Sequence, residues 1–155
     1  MLGLCEVYPK VSPDKMSIND LKFTDYDVLC PKMTGERGVL LLVHKSMKVT
    51  QVYNFDQIEF SENVWCEFEL VKGCCVLLGM VYRSPSSCVE KDQKLINLIN
   101  NSASLKYDQY VLLGDFNYKD IDWINCESKY TEGASGTKFL DGVQDNFLQQ
   151  HVLSE

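Results

Sequence analysis

The chain predicts an α/β fold built on a mixed sheet, and three observations carry that expectation. Two short, unbroken apolar runs, Val76–Val81 and Tyr110–Leu113, are bounded by turn signals and read as strands buried on both faces. Between them Asp92, Leu95, Ile96 and Ile99 recur at helical spacing, which makes strand, helix and strand a parallel crossover unit. Upstream, a series of apolar stretches from Val49 to Tyr82 is joined by short turns and supplies an antiparallel meander.

Taken in order, Leu2–Val7 is a strand pattern closed by Tyr8-Pro9, because proline cannot join a central ladder. A chain that opens in a strand pattern is expected to be truncated. Residues 11–21 mix Pro13, Asp14, Lys15, Ser17 and Asn19 and read as a surface loop, where Lys10 or Lys15 is either solvated or touches a substrate backbone. Tyr26–Cys30 is a short strand ended by Pro31, and Gly35–Gly38 is a turn. Val39–Val43 follows as a strand ending at His44. This histidine lacks a local acidic partner and reads as a strand-end residue rather than a catalytic base.

Val49–Val52, Ile58–Phe60 and Val64–Leu70 read as further strands. Glu67 and Glu69 share one face. They could pose as paired acid catalysts, but alternation on a half-exposed strand more simply marks its wet side. Val71-Lys72-Gly73 turns the chain into Cys74–Tyr82. Ser87 and Glu90 form a Ser-x-x-Glu capping box for the first helix, with Leu98 widening its apolar stripe. After Asn117 the chain loops to Thr131, with Trp123 expected to anchor the loop and base stacking as its alternative. Ser135 or Thr137 then caps a second helix with Phe139, Leu140, Val143 and Phe147 in its stripe, although Gly142 costs about 1 kcal/mol against alanine. His151-Val152-Leu153 opens another strand.

The 155 residues suit one domain, and 45% hydrophobic with 24% charged residues is ordinary for a globular chain. No apolar run reaches about 18 residues, so no transmembrane helix is expected. Met1–Val7 is too short for a secretory signal and carries Glu6. The net charge of −7 argues against a wholly basic nucleic-acid binder. The charge is uneven: residues 1–50 hold seven basic and six acidic side chains, the remainder eight and sixteen. Such a balance is compatible with nucleic acid if a divalent cation sits between carboxylates and phosphate. The seven cysteines are odd in number and show no Cys-x-x-Cys spacing. They read as small buried hydrophobes in a reducing compartment rather than zinc ligands or a disulfide scaffold.

The stretch Gly114-Asp115-Phe116-Asn117 carries the chemistry. Gly114 lets the backbone turn or lets something approach closely. With extended geometry, Asp115 and Asn117 lie on one side at the carboxyl end of a strand, where open α/β sheets gather ligands. An Asx-type turn with both side chains capping local backbone is the competing reading. The other stretch, Tyr82-Arg83-Ser84-Pro85, places a phenol and a guanidinium at the end of its own strand.

Together these stretches, with Asp120-Ile121-Asp122-Trp123, resemble the exonuclease–endonuclease–phosphatase superfamily and, within it, the endonuclease domain of non-LTR retrotransposons. The resemblance covers nearly the whole chain in order. It implies a deoxyribonuclease-I-like αββα sandwich, with residues 1–155 a single truncated domain. It also implies hydrolysis of a DNA phosphodiester by a metal-assisted water. Glu6, in the context Cys5-Glu6-Val7-Tyr8-Pro9-Lys10, would hold Mg2+, with Mn2+ the alternative ion. Asp115 would orient and activate the water, and Asn117 and Tyr82 would bind the scissile phosphate. Arg83, adjoining Tyr82 on a strand, should face away and receives no catalytic role. A reverse transcriptase in a parent polyprotein and an intracellular setting, nuclear or cytoplasmic, follow from the same resemblance. The family also carries an asparagine on a strand before the glutamate strand and a terminal Ser-Asp-His segment. Neither matches here, and His151 lies in no such context. A catalytically silent remnant or interaction protein is therefore the alternative, and a phosphatase of the same fold acting on a lipid or small phosphate a third reading.

Overall fold

The computed structural model describes residues 1–8, 21, 23–31, 37–53, 55–129 and 133–151. The expected loop at 11–21, with Lys10 and Lys15, lies outside them except for Leu21, and so does the strand expected after His151. The chain divides into two compact units, Met1–Arg83 with Lys106–Phe116, and Ser84–Leu105 with Asn117–Glu155.

The first unit holds two sheets. One has the order β1-β3-β2, from β1 (Leu2–Cys5), β2 (Tyr26–Leu29) and β3 (Val39–His44), all antiparallel. The other has the order β4-β5-β6-β7, from β4 (Val49–Val52), β5 (Asn63–Val71), β6 (Cys74–Tyr82) and β7 (Gln109–Asp115). Within it β4, β5 and β6 form the antiparallel meander and β7 joins β6 in parallel. The meander expected from Val49 to Tyr82 is thus β4–β6, while β3 lies in the other sheet. Val39, Leu41 and Val43 from β3 pack with Val64, Cys66, Leu78, Met80 and Tyr82, so alternate residues of both sheets build one core. On the other face of β5, Trp65 lies over Gly79, with Phe55 at 4.7 Å and Tyr110 at 6.1 Å between ring centroids.

Three readings of strands are corrected. β7 is not buried on both faces: it ends the four-strand order, and Val111 and Leu113 are 38% and 39% exposed. An apolar run alone does not separate a central strand from a terminal one. Ile58–Phe60 is not a strand, because residues 56–58 form a 3-10 turn closed by Ile58 N–H donating to Phe55 O, and Glu59 takes φ 55°. The loop after Asn117 contains a small hairpin, β8 (Ile121–Asp122) with β9 (Glu127–Ser128). Its turn is fixed by Asp122 accepting from the backbone of Ile124 and Asn125.

The second unit contains α1 (Val89–Ala103) and α2 (Ser135–Asp145). The helical stripe of α1 is as expected: Leu95, Ile96, Leu98 and Ile99 are buried, with Asp92 and Ser102. Its capping box is not. Ser87 N–H donates to Ser84 O in the Pro85 turn, so the helix starts one residue later behind Cys88, without a side-chain cap. In α2 the N-cap is Ala134, while Ser135 is already helical and Thr137 Oγ1 bonds Ser128 Oγ at 3.0 Å. Phe139 stacks on Tyr118 at 4.6 Å and meets Trp123 edge-on at 6.3 Å, so Trp123 anchors its loop as expected. Phe147 lies beyond the helix and is 93% exposed, outside the predicted stripe. α2 meets α1 at Gly142, where a Cβ would only touch Ile96 and Asn100, and Asn146 Nδ2 donates to Asn100 Oδ1 at 2.7 Å.

All seven cysteines are free thiols. Cys66 is buried, but Cys75, Cys88 and Cys126 are exposed, which corrects the expectation that they fill the interior.

Candidate active site

β1 ends at Cys5, and Glu6 turns out of the strand with φ 57°, a left-handed conformation unusual for glutamate. The turn gives its carboxylate two partners from distant parts of the chain. Tyr82 Oη donates to Glu6 Oε1 at 2.5 Å, and Arg37 Nη2 lies 3.1 Å from Glu6 Oε2. The glutamate side chain remains 44% exposed.

Arg37 and Gly38 form the turn that leads into β3. Glu62 fixes this turn, accepting the backbone N–H of Arg37 at 2.7 Å and of Gly38 at 3.0 Å. Gly38 has φ 78° and a Cβ there would run into the Tyr8 ring, so only glycine fits. Tyr8 N–H in turn donates to Arg37 O at 2.8 Å, which ties the segment after Glu6 to the same turn.

Tyr82 closes β6, 2% exposed, in register with Asp115 at the end of β7. Arg83 N–H donates to Asp115 O at 2.9 Å and extends the ladder. As expected from alternation, Arg83 leaves the Tyr82 face: it is buried, and its Nη1 donates to Phe116 O at 3.3 Å. Gly114 serves close approach, because a Cβ would collide with Val81 O.

Cys5 reports how the acidic groups sit. Burial pushes its thiol pKa up, a hydrogen bond from the Asp115 backbone lowers it, and the charges of Asp115, Glu62 and Glu6 raise it again. Tyr82, hydrogen-bonded to Glu6, is the register partner of Asp115, so both acidic residues adjoin the end of β6. Asn117 belongs to the second unit, with φ 51°. Extended geometry stops at Asp115, so the two-residue alternation expected to align Asn117 with Asp115 does not hold.

The residues suit a magnesium ion that keeps several waters. Its usual anchors are one or two carboxylates rather than a full protein cage. Glu6 offers a carboxylate whose side chain is 44% exposed, and Tyr82, bonded to it, is the register partner of Asp115. No group of three His, Cys, Asp or Glu side chains among the described residues is arranged to enclose a metal.

Other residues raised from sequence stay apart from this cluster. His44 is exposed, its Nδ1 bonded to Ser46 and its ring edge-on to Tyr26. Glu67 accepts from Tyr107 Oη at 2.5 Å, and Glu69 accepts from Gly73 N–H, both as strand-face residues. Arg37 and Glu62 are the residues sequence reasoning missed. Of the turn expected at Gly35–Gly38 only Arg37 and Gly38 are among the described residues, and nothing near Glu62 signalled a partner 25 residues away.

Residues 76–155 match the protein family described as endonuclease-reverse transcriptase. Among solved structures, the endonuclease domain of TRAS1, a telomere-specific non-LTR retrotransposon, is similar in fold, with a TM-score of 0.56 and 17% sequence identity. The match covers 80% of this chain and 53% of that one, so the chain spans about half the length of the solved domain. No curated protein matches by sequence.

Proposed function

The chain belongs to the endonuclease-reverse transcriptase family, with a deoxyribonuclease-I-like fold, and on that footing we propose that it hydrolyses phosphodiester bonds in DNA with the help of Mg2+. The observation that carries the reading is the joining of Glu6 to Tyr82, whose register partner on β7 is Asp115.

Glu6 is the residue that would hold the ion. The ion would supply Lewis-acid polarisation of the phosphate and neutralise charge on the leaving oxygen. Asp115, exposed at the end of β7, orients a water and accepts its proton as attack on phosphorus begins. Tyr82 presents a phenolic donor held in place by Glu6, and a phosphate oxygen competes for that proton as negative charge builds. Asn117, two residues after Asp115, is assigned to the phosphate by the family resemblance. The parent protein would pair this activity with a reverse transcriptase.

A second reading, a fold retained without turnover, draws support from one observation: both oxygens of Glu6 are already engaged, by Tyr82 and by Arg37. Nicking of supercoiled plasmid in Mg2+ separates the two. Nicking abolished by EDTA, by Asp115→Ala and by Glu6→Ala is the expected result. No nicking at any protein concentration would sink the nuclease reading.

A further inference from the structure

Arg37 holds Glu6 in an unusual way. A guanidinium has five N–H donors and normally spends them in forked pairs on carboxylates or carbonyls. Here Nη2 alone reaches Glu6, at 3.1 Å. Nε and Nη1 are buried without a hydrogen-bond partner. Leaving two N–H groups of a charged side chain buried and unpaired is costly, so the arrangement persists because something else fixes it. Glu62 does so, clamping the Arg37 and Gly38 backbone with one carboxylate. The guanidinium is delivered to Glu6 by its backbone and is not anchored there by its own side-chain bonds.

We propose that Arg37 is a positioning residue that acts as a resident counter-cation for Glu6. It neutralises the carboxylate and fixes its second oxygen when no divalent ion is bound, and it gives way when one arrives. Two structural features fit this exchange. The contact is single, so an ion replaces one hydrogen bond rather than a fork. The Glu6 side chain is 44% exposed against 16% for Arg37, so an ion reaches the carboxylate from solvent without passing the guanidinium. Tyr82 keeps the other oxygen oriented throughout. Arg37 therefore weakens cation binding at Glu6, in return for a carboxylate that is already placed.

The inference rests on Glu6 being the metal ligand, and the test separates the two ideas. Mn2+ is titrated into the 155-residue chain, free ion being read by electron paramagnetic resonance. Glu6→Gln should lose binding by tenfold or more, on the order of one charged ligand. Arg37→Met, similar in length but uncharged, should bind about tenfold more tightly than wild type, because a positive charge beside the ligand is gone. Arg37→Lys should stay within about twofold, since the charge remains. If Arg37→Met binds no more tightly while Glu6→Gln has lost the ion, the counter-cation role is overturned and the metal reading stands. If Glu6→Gln binds as wild type does, both fall. A measurement on wild type covers the case in which Arg37→Met fails to fold. The Arg37 Nε–H resonance should move on saturation with diamagnetic Mg2+, and a resonance that does not move overturns the proposal.

Discussion

Tyr82 donates its hydroxyl to Glu6 across 2.5 Å, joining residues 76 positions apart in the chain. The bond links the end of β6, the most buried strand of its sheet, to the residue that leaves β1 in a left-handed turn. A carboxylate held only by its own strand end would sample several rotamers. One fixed by a phenol, itself 2% exposed and wedged in the core, does not.

Tyr82→Phe keeps the ring and its packing and removes only this donor. A hydrogen bond to a charged acceptor contributes about 1.5–3 kcal/mol. Glu6 is partly solvated, so the lower end applies and a loss of about 1.5 kcal/mol is expected in urea unfolding. If nicking is observed, it should fall by at least tenfold in the same variant while the fold survives. A variant with wild-type nicking would remove Tyr82 from the chemistry.

Alkaline pH should destabilise the protein in a defined window. Tyr107 is pushed up to about 12, by burial first and then by its hydrogen bond to Glu67, and burial pushes Cys66 up to about 11. Both are raised above their ordinary values of 10.0 and 9.0. The folded state then holds its proton where the unfolded state has lost it. The stability this gives is complete below the unfolded values and declines as pH rises through the folded ones. Thermal unfolding should weaken from about pH 9 upward. Absorbance at 295 nm should include a tyrosine step near 12, and Tyr107→Phe should diminish it by one tyrosine.

Two glycines of the first unit should respond differently to alanine. At Gly79 a Cβ would enter the Trp65 ring. That ring cannot retreat, since its Nε1 donates to Asn63 Oδ1 at 2.6 Å and Phe55 packs on it. Overpacking of this kind costs about 1–3 kcal/mol. At Gly73 the space is open, but φ is 81°, so Gly73→Ala should cost only about 1 kcal/mol of backbone strain. Urea midpoints of the two variants measure the difference, and the order reversed would contradict the Trp65 packing.

How far the sequence reaches depends on the range of the interaction. α1 was legible because Leu95, Ile96 and Ile99 repeat with the helix period itself. The hairpin at Lys72-Gly73 was legible because its signal is local. The terminal position of β7 was not, since Tyr110–Leu113 is apolar on both faces whether or not another strand covers it. Ser87 was misjudged because two local signals competed for it, and the Pro85 turn took the residue the capping box needed. At the candidate site, Glu6, Tyr82 and Asp115 came from a motif resemblance. Arg37 and Glu62 share no pattern with them and are joined only by folding.

Glu62 should therefore matter more than its place outside any motif suggests. Its carboxylate accepts two backbone N–H groups of the Arg37–Gly38 turn, and its backbone O accepts Tyr82 N–H at 2.9 Å. One residue thus pins both Tyr82 and Arg37. Glu62→Ala removes a charged acceptor and leaves two partly buried donors to find water, at a cost of about 2–3 kcal/mol. Glu62→Gln retains one acceptor oxygen in nearly the same place, so about half that cost is expected. The loosened turn should also release Arg37 from Glu6. In Glu62→Gln, Mn2+ should then bind more tightly than in wild type but less tightly than in Arg37→Met. Equal urea midpoints for wild type and Glu62→Ala would show that the turn stands without this clamp.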